Sequence, residues 1–154
     1  MYVTGSAVVQ RVAFTATMSK SIGGIGIGQT IVFDNIVTNI GNAYNPQTGK
    51  FVVPVSAFYV VTLTVYPNWI TEEMYVEIVH DGTQLTDMLL DNVVRNRASQ
   101  TTDELTFFLS FTSQWVFHLN EGSNVWVRTT SYSPLINILG QNHSRITCWL
   151  LYAD

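Results

Sequence analysis

Residues 114–128 read QWVFHLNEGSNVWVR, two short alternating runs on either side of a polar turn. Apolar residues occupy every second position in both runs, beginning at Trp115 and at Val125. A repeat of two residues places alternate side chains on opposite faces of an extended chain, which is the pattern of a β-strand. Asn, Gly and Ser between the runs favour a turn. The segment therefore predicts two strands joined by a turn.

The same spacing recurs along the chain and defines the fold class. Residues 105–111 also alternate, and turn-forming pairs such as Asn45-Pro46, Asp81-Gly82 and Ser133-Pro134 punctuate the sequence. We find no segment with the 3.6-residue period of an amphipathic helix. Many short strands without helices between them predict a β-sandwich or jelly roll. A length of 154 residues is enough for one such domain.

The surface is poor in charge. Charged residues make up 12% of the chain, against about 25% in soluble domains. In addition, the predicted strands 58–66 and 146–152 carry apolar residues on both faces. A strand with one face in solvent would instead show polar residues on that face. We expect their outer faces to pack against another subunit. Loops of the same chain could also cover them, and composition does not separate these alternatives.

The sequence lacks the residue patterns that several classes of function require. The net charge is −4 and there is no basic run, so we expect no nucleic-acid binding. No apolar run is long enough to span a bilayer, so we expect no membrane insertion. His80, His118 and His143 are far apart in sequence, and no metal or nucleophile motif surrounds them. The single Cys148 lies in an apolar run typical of a buried strand. We expect a protein without enzymatic activity.

The stretch from Phe33 to Leu63 resembles the signature of the complement C1q globular-head family, within the C1q and tumour necrosis factor superfamily. The signature residues that fall on the family spacings are Phe33, Asn39, Tyr44, Phe51 and Tyr59. The sequence departs from the pattern at Ala57, where the family has Gly, and at Val61 and Leu63, where it has aromatics. The resemblance covers residues 8–152. It implies an all-β, ten-stranded antiparallel jelly-roll sandwich over residues 8–154, preceded by a tail of residues 1–7 and assembled as a homotrimer.

The resemblance also implies a function. The chain has no collagen-like stalk and looks like the stalk-less secreted form of the family. This likeness implies a secreted, extracellular, lectin-like protein of innate immunity that binds carbohydrates or microbial surface molecules. The alternative is a signalling or scaffolding trimer that binds a protein receptor, similar to tumour necrosis factor-like proteins or synaptic organisers. Sequence alone leaves both open.

Candidate ligand-binding residues are aromatic and polar side chains in predicted loops, because rings stack on sugar faces and polar groups bond to hydroxyls. These candidates are Trp69, Arg95, Arg97, Tyr132, Asn142 and His143. Residues 142–144 also form the only Asn-x-Ser/Thr sequon, which makes Asn142 a candidate for glycosylation.

Calcium is the one cofactor that the resemblance leaves open. Calcium binds several oxygen ligands, mostly carboxylates and carbonyls. The candidate ligands are four acids in predicted loops, Asp81, Asp87, Asp91 and Asp103. None of them matches a calcium position of the family, and we expect no other cofactor.

Overall fold

The computed structural model describes residues 10–68, 74–90, 110–130 and 137–154. The regular structure in these ranges is entirely β-strand, and every strand pairing is antiparallel. The strands are β1 Ala13–Thr17, β2 Ile22–Gly23, β3 Thr30–Ile31, β4 Asn35–Ile40, β5 Tyr44–Asn45, β6 Lys50–Val52, β7 Ala57–Val65, β8 Pro67–Asn68, β9 Met74–His80, β10 Thr83–Leu90, β11 Phe111–Leu119, β12 Asn124–Thr129, β13 Asn137–Ile138 and β14 Arg145–Ala153.

The strands form two main sheets and a small third one. The first has the order β11-β7-β14-β1-β4, and the second has the order β10-β9-β12-β6-β5, with β3 also paired to β12. A three-stranded sheet, β2-β13-β8, joins short segments between the longer strands. Neighbours in the two main sheets are mostly distant in sequence, as in a jelly roll. The predicted all-β antiparallel sandwich is confirmed. The described residues hold fourteen strand segments rather than ten, because several are only two residues long.

Aromatic side chains from both main sheets meet between them. Phe14 of β1 stacks on Tyr44 of β5 at 4.6 Å between ring centroids. Phe51 of β6 lies 5.2 Å from Phe14 and 5.5 Å from Tyr59 of β7. Phe33 completes the signature aromatics, and all four are buried. Each large ring of this kind buries on the order of 150–250 Å² between the sheets.

The polar parts of the signature brace this core. The Tyr44 hydroxyl donates to the Phe33 carbonyl at 3.0 Å and accepts from the Phe33 N–H at 3.1 Å. The Asn39 amide donates to the Tyr44 carbonyl at 2.9 Å. Burial raises the pKa of the Tyr44 hydroxyl, so it remains a neutral donor. The signature positions thus fix both the rings and the turn between β4 and β5.

The turn between β13 and β14 is pinned to residues 18–21. Gln141 and Asn142 donate their N–H groups to the carbonyls of Ser19 and Met18, at 3.2 and 2.8 Å. Gly140 lies so close to this segment that a Cβ on it would fall 2.1 Å from the Lys20 carbonyl carbon. The distance between Gly140 and the segment 18–21 therefore leaves no room for a side chain at position 140.

We expect Gly140→Ala to lower the free energy of unfolding by about 1–3 kcal/mol, the usual cost of forcing extra atoms into a packed site. The measurement is urea denaturation at one protein concentration. Gly26→Ala is the control, because its Cβ would meet nothing within 4 Å. Equal stability of the two variants would contradict the close approach at Gly140.

Candidate assembly surface

The five-stranded sheet has one face on the core and an outer face that points away from it. Cross-strand register aligns the outer side chains into four rows, each perpendicular to the strands. The two polar rows are Asn35, Thr17, Arg145, Thr64 and Thr112, then Thr38, Thr15, Thr147, Thr62 and Gln114. The two apolar rows are Ile40, Ala13, Trp149, Val60 and Val116, then Tyr152, Phe58 and His118.

Most side chains of the polar rows form hydrogen bonds within the chain. The hydroxyls of Thr15 and Thr147 lie 3.1 Å apart, and those of Thr64 and Thr112 lie 2.9 Å apart. The Gln114 amide donates to the Thr62 hydroxyl at 2.9 Å. Hydroxyl groups in this arrangement also bond readily to water. These polar groups are therefore satisfied without a partner subunit.

The apolar rows expose large side chains on several of the five strands. Ile40, Val116 and Tyr152 are 50%, 55% and 55% exposed, and Leu151 beside them is also exposed. The ring of Phe58 packs against that of Tyr152, with 4.7 Å between centroids. Large exposed apolar side chains on one face of a sheet typically mark a contact with another molecule.

A contact between a histidine and a carboxylate lies at the end of the apolar rows. The His118 Nε2 atom is 2.9 Å from Oδ1 and 3.0 Å from Oδ2 of Asp154. The His118 ring also meets Phe58 edge-on at 4.9 Å. Sequence alternation predicts that His118 points outward, and the structure agrees.

The prediction that strands 58–66 and 146–152 are apolar on both faces is confirmed at one end only. On β7 the outer Phe58 and Val60 are apolar, but Thr62 and Thr64 belong to the polar rows. On β14 the alternation predicts Tyr152 on the same face as Cys148. A register shift between Leu150 and Tyr152 moves Tyr152 to the outer face instead. An extra residue in a strand shifts the alternation in this way.

Most predicted ligand-binding residues lie outside the described ranges, namely Trp69, Arg95, Arg97 and Tyr132. The structure describes Asn142 and His143, which are exposed in the turn before β14. The ring of His143 packs against that of Tyr66 at 5.5 Å between centroids. His143 therefore lies beside the chain that leads through β8 towards Trp69.

Asn142 is tied to the polar rows. Its Oδ1 atom accepts hydrogen bonds from the Thr17 hydroxyl at 2.8 Å and from the Asn35 amide at 3.2 Å. Asp34 next to Asn35 accepts from both the hydroxyl and the N–H of Ser19. Desolvation acts to raise the pKa of Asp34, but these hydrogen bonds outweigh it and hold that pKa below its usual value. This corner of the sheet is a connected polar network.

The candidate calcium ligands do not converge where they are described. Asp81 lies in the turn after β9, and its Oδ1 accepts from the Asn124 N–H at 2.9 Å. Asp87 was expected in a loop but lies within β10, opposite Glu77, because residues 83–90 continue the second sheet. Asp91 and Asp103 lie outside the described ranges. Within those ranges no three His, Cys, Asp or Glu side chains cluster as metal ligands. Calcium binding stays a prediction.

The outer face of the second sheet holds two contacts that sequence reasoning missed. Arg128 of β12 forms an ion pair with the buried carboxylate of Glu77, its cross-strand neighbour on β9. The Lys50 ammonium lies over the Trp126 ring, 4.8 Å from its centroid. No local signal marks either pair, because each joins strands far apart in sequence.

Cys148 is buried between the sheets, as its apolar run predicts. Burial raises the pKa of its thiol to about 12. A thiol that stays protonated at neutral pH is a poor nucleophile and a poor metal ligand. Cys148 therefore serves as a small core residue.

Comparison with known proteins agrees with this architecture. The family model of the C1q domain matches residues 13–151. Human complement C1q tumor necrosis factor-related protein 3 is 27% identical over 118 residues, covering 77% of this chain and 43% of that protein. The chain thus spans less than half the length of this relative.

Solved structures share the fold at low identity. The globular domain of the zebrafish complement 1qA protein superposes with a TM-score of 0.69 at 14% identity, covering 93% of this chain and 99% of that one. Eiger TNF from S. frugiperda superposes with a TM-score of 0.72 at 14% identity, covering 95% and 96%. Among the described residues there is no helix long and apolar enough to cross a membrane.

Proposed function

The chain belongs to the C1q domain family, and from that premise we propose that it is a secreted homotrimer that recognises other molecules and catalyses no reaction. The observation that carries the trimer is the pair of apolar rows on the outer face. Ile40, Val116 and Tyr152 expose about half of their surface there. Burying such side chains against a second copy gives roughly 25 cal/mol for each Å² removed from water.

We propose carbohydrates or microbial surface molecules as the ligands, bound by loop side chains at the end of the domain near His143. Two features support this location. His143 is exposed there, and its ring contacts that of Tyr66, three residues before Trp69 in the sequence. Three copies of a weak site on one assembly raise the overall affinity by avidity. A tryptophan ring supplies a flat apolar surface for a sugar ring.

We expect Trp69→Ala to weaken sugar binding by about 30-fold, the loss of roughly 2 kcal/mol expected for a central aromatic contact. The measurement is a glycan and lipopolysaccharide array with the assembled protein, followed by titration of the best ligand and competition with free sugar. Gln84→Ala, an exposed position on β10, is the matched control and should bind like wild type. Wild-type protein that binds no sugar on the array would contradict the lectin function.

A protein receptor is the second candidate, and the likeness to Eiger TNF favours it. In that case the array stays silent, and the protein binds cells through a surface protein. Binding that is lost when the cells are treated with protease, but not when their glycans are removed, would support this candidate over the first.

A further inference from the structure

The turn between β13 and β14 carries the sequon of residues 142–144 in an exposed position. Gln141 and Asn142 both have positive φ angles, 52° and 65°, and Asn is among the residues that adopt this conformation readily. A tight exposed turn gives a bulky group room in solvent. The backbone at Asn142 is therefore suited to carry one.

Among the described residues, the side chain of Asn142 is hydrogen-bonded through its oxygen alone. Oδ1 accepts from Thr17 and Asn35, at 2.8 and 3.2 Å, while Nδ2 makes no hydrogen bond to the described part of the chain. An N-linked sugar is attached through Nδ2 and leaves the carbonyl oxygen as an acceptor. Both hydrogen bonds to Asn142 therefore persist after modification and orient the linkage.

We propose that Asn142 carries an N-linked oligosaccharide that lies outside the contact between subunits, an inference that rests on the proposed secretion. The transfer forms a bond between Nδ2 and the anomeric carbon of the oligosaccharide. It breaks the bond from that carbon to a polyprenyl-diphosphate donor, and the amide proton is released as the diphosphate leaves.

Because Ser144 is buried in the folded domain, this transfer must precede folding. Its side chain is fully buried, and its hydroxyl donates to the Leu139 carbonyl at 2.8 Å and accepts from the Tyr66 N–H at 3.0 Å. Because transfer to the sequon needs an accessible hydroxyl, Asn142 is modified before β14 joins the sheet. The folded domain is no longer a substrate.

The position of Asn142 on the outer face separates the oligosaccharide from the apolar rows. Asn142 adjoins Thr17 in the first polar row, and Ala13 of the nearer apolar row is four residues away along β1. At about 3.3 Å per residue the separation along the strand is about 13 Å. The oligosaccharide stays with the hydrated rows and leaves the apolar rows free to pack.

In the test, human cells express the chain behind a heterologous signal peptide. The intact mass of all the chain that the cells produce is measured before and after treatment with peptide N-glycosidase. We expect one oligosaccharide on the wild type and none on Asn142→Asp, which keeps the oxygen that Thr17 and Asn35 contact. Adding Val37→Thr to Asn142→Asp is the positive control. It makes a new sequon at Asn35 by a nearly isosteric change at a position that is 63% exposed.

Wild-type chain without oligosaccharide overturns the proposal. If the variant with Asn142→Asp and Val37→Thr is modified in that case, the chain enters the secretory pathway, and the missing oligosaccharide is a property of the Asn142 site. Light scattering gives the second readout, where we expect the same assembly for wild type and Asn142→Asp. A modified wild type that is monomeric beside a trimeric Asn142→Asp would overturn the placement outside the contact. Monomers in both proteins would instead contradict the proposed trimer and leave the modification standing.

Discussion

Val116→Glu converts the assembled protein into a folded monomer. Val116 lies in the apolar rows and is 55% exposed in the single chain, so it tolerates a charge when the chain is alone. In the assembly it would be covered, and the effective cost of burying an unpaired carboxylate is several kcal/mol. The cost is incurred in every copy. We expect the mass from light scattering to fall from three times 17.3 kDa to the single-chain value at micromolar concentration.

The matched control for this variant is Gln84→Glu, which adds the same charge at an exposed position on the other sheet. Its assembly should remain that of the wild type. Circular dichroism should show that both variants keep the β-fold. A trimeric Val116→Glu protein would exclude the apolar rows as the contact. A wild-type mass near 17.3 kDa would exclude the trimer itself.

Phe51→Ala lowers the free energy of unfolding by about 3–5 kcal/mol, the usual range for removing a buried aromatic ring. Phe51 belongs to the second sheet, and its ring contacts Phe14 and Tyr59 of the first sheet at 5.2 and 5.5 Å between centroids. Its loss leaves a cavity where the two sheets meet. Because ΔG of unfolding is only about 5–15 kcal/mol for a domain, a large part of the stability is lost.

The measurement is urea denaturation of wild type and variant at equal protein concentration, since assembly also contributes to apparent stability. Phe51→Leu is the control, because it keeps an apolar side chain in the site and should cost less than the alanine variant. A loss below 1 kcal/mol for Phe51→Ala would show that this ring does not hold the sheets together.

The aromatic part of the core was predictable from the family resemblance. Phe33, Tyr44, Phe51 and Tyr59 match its signature, large rings suit the space between two sheets, and all four are buried. Where the family has aromatics after Tyr59, Val61 and Leu63 fill the same interior face and are also buried. A hydrophobic side chain of roughly the right volume is sufficient for a core position.

The candidate assembly surface could be predicted only in part. Alternation along β7 correctly places Phe58 and Val60 on the outer face, but it gives no information on their neighbours across the sheet. His118, Tyr152 and Val116 come from strands far along the chain, and their place beside β7 follows from register. The same limit applies to the ion pair of Arg128 with the buried Glu77, which forms only because β9 and β12 pair.

The sequence by itself determined that this chain forms a two-layer β-structure with an aromatic interior, because side-chain period and hydrophobicity act over a few neighbouring residues. Only the tertiary structure decided that the outer face divides into polar rows and apolar rows. That division depends on antiparallel register between distant strands and on the irregularity near Leu151, which turns Tyr152 outward. A change of one residue in register would move each outer side chain to the core face, so this property belongs to the fold as a whole.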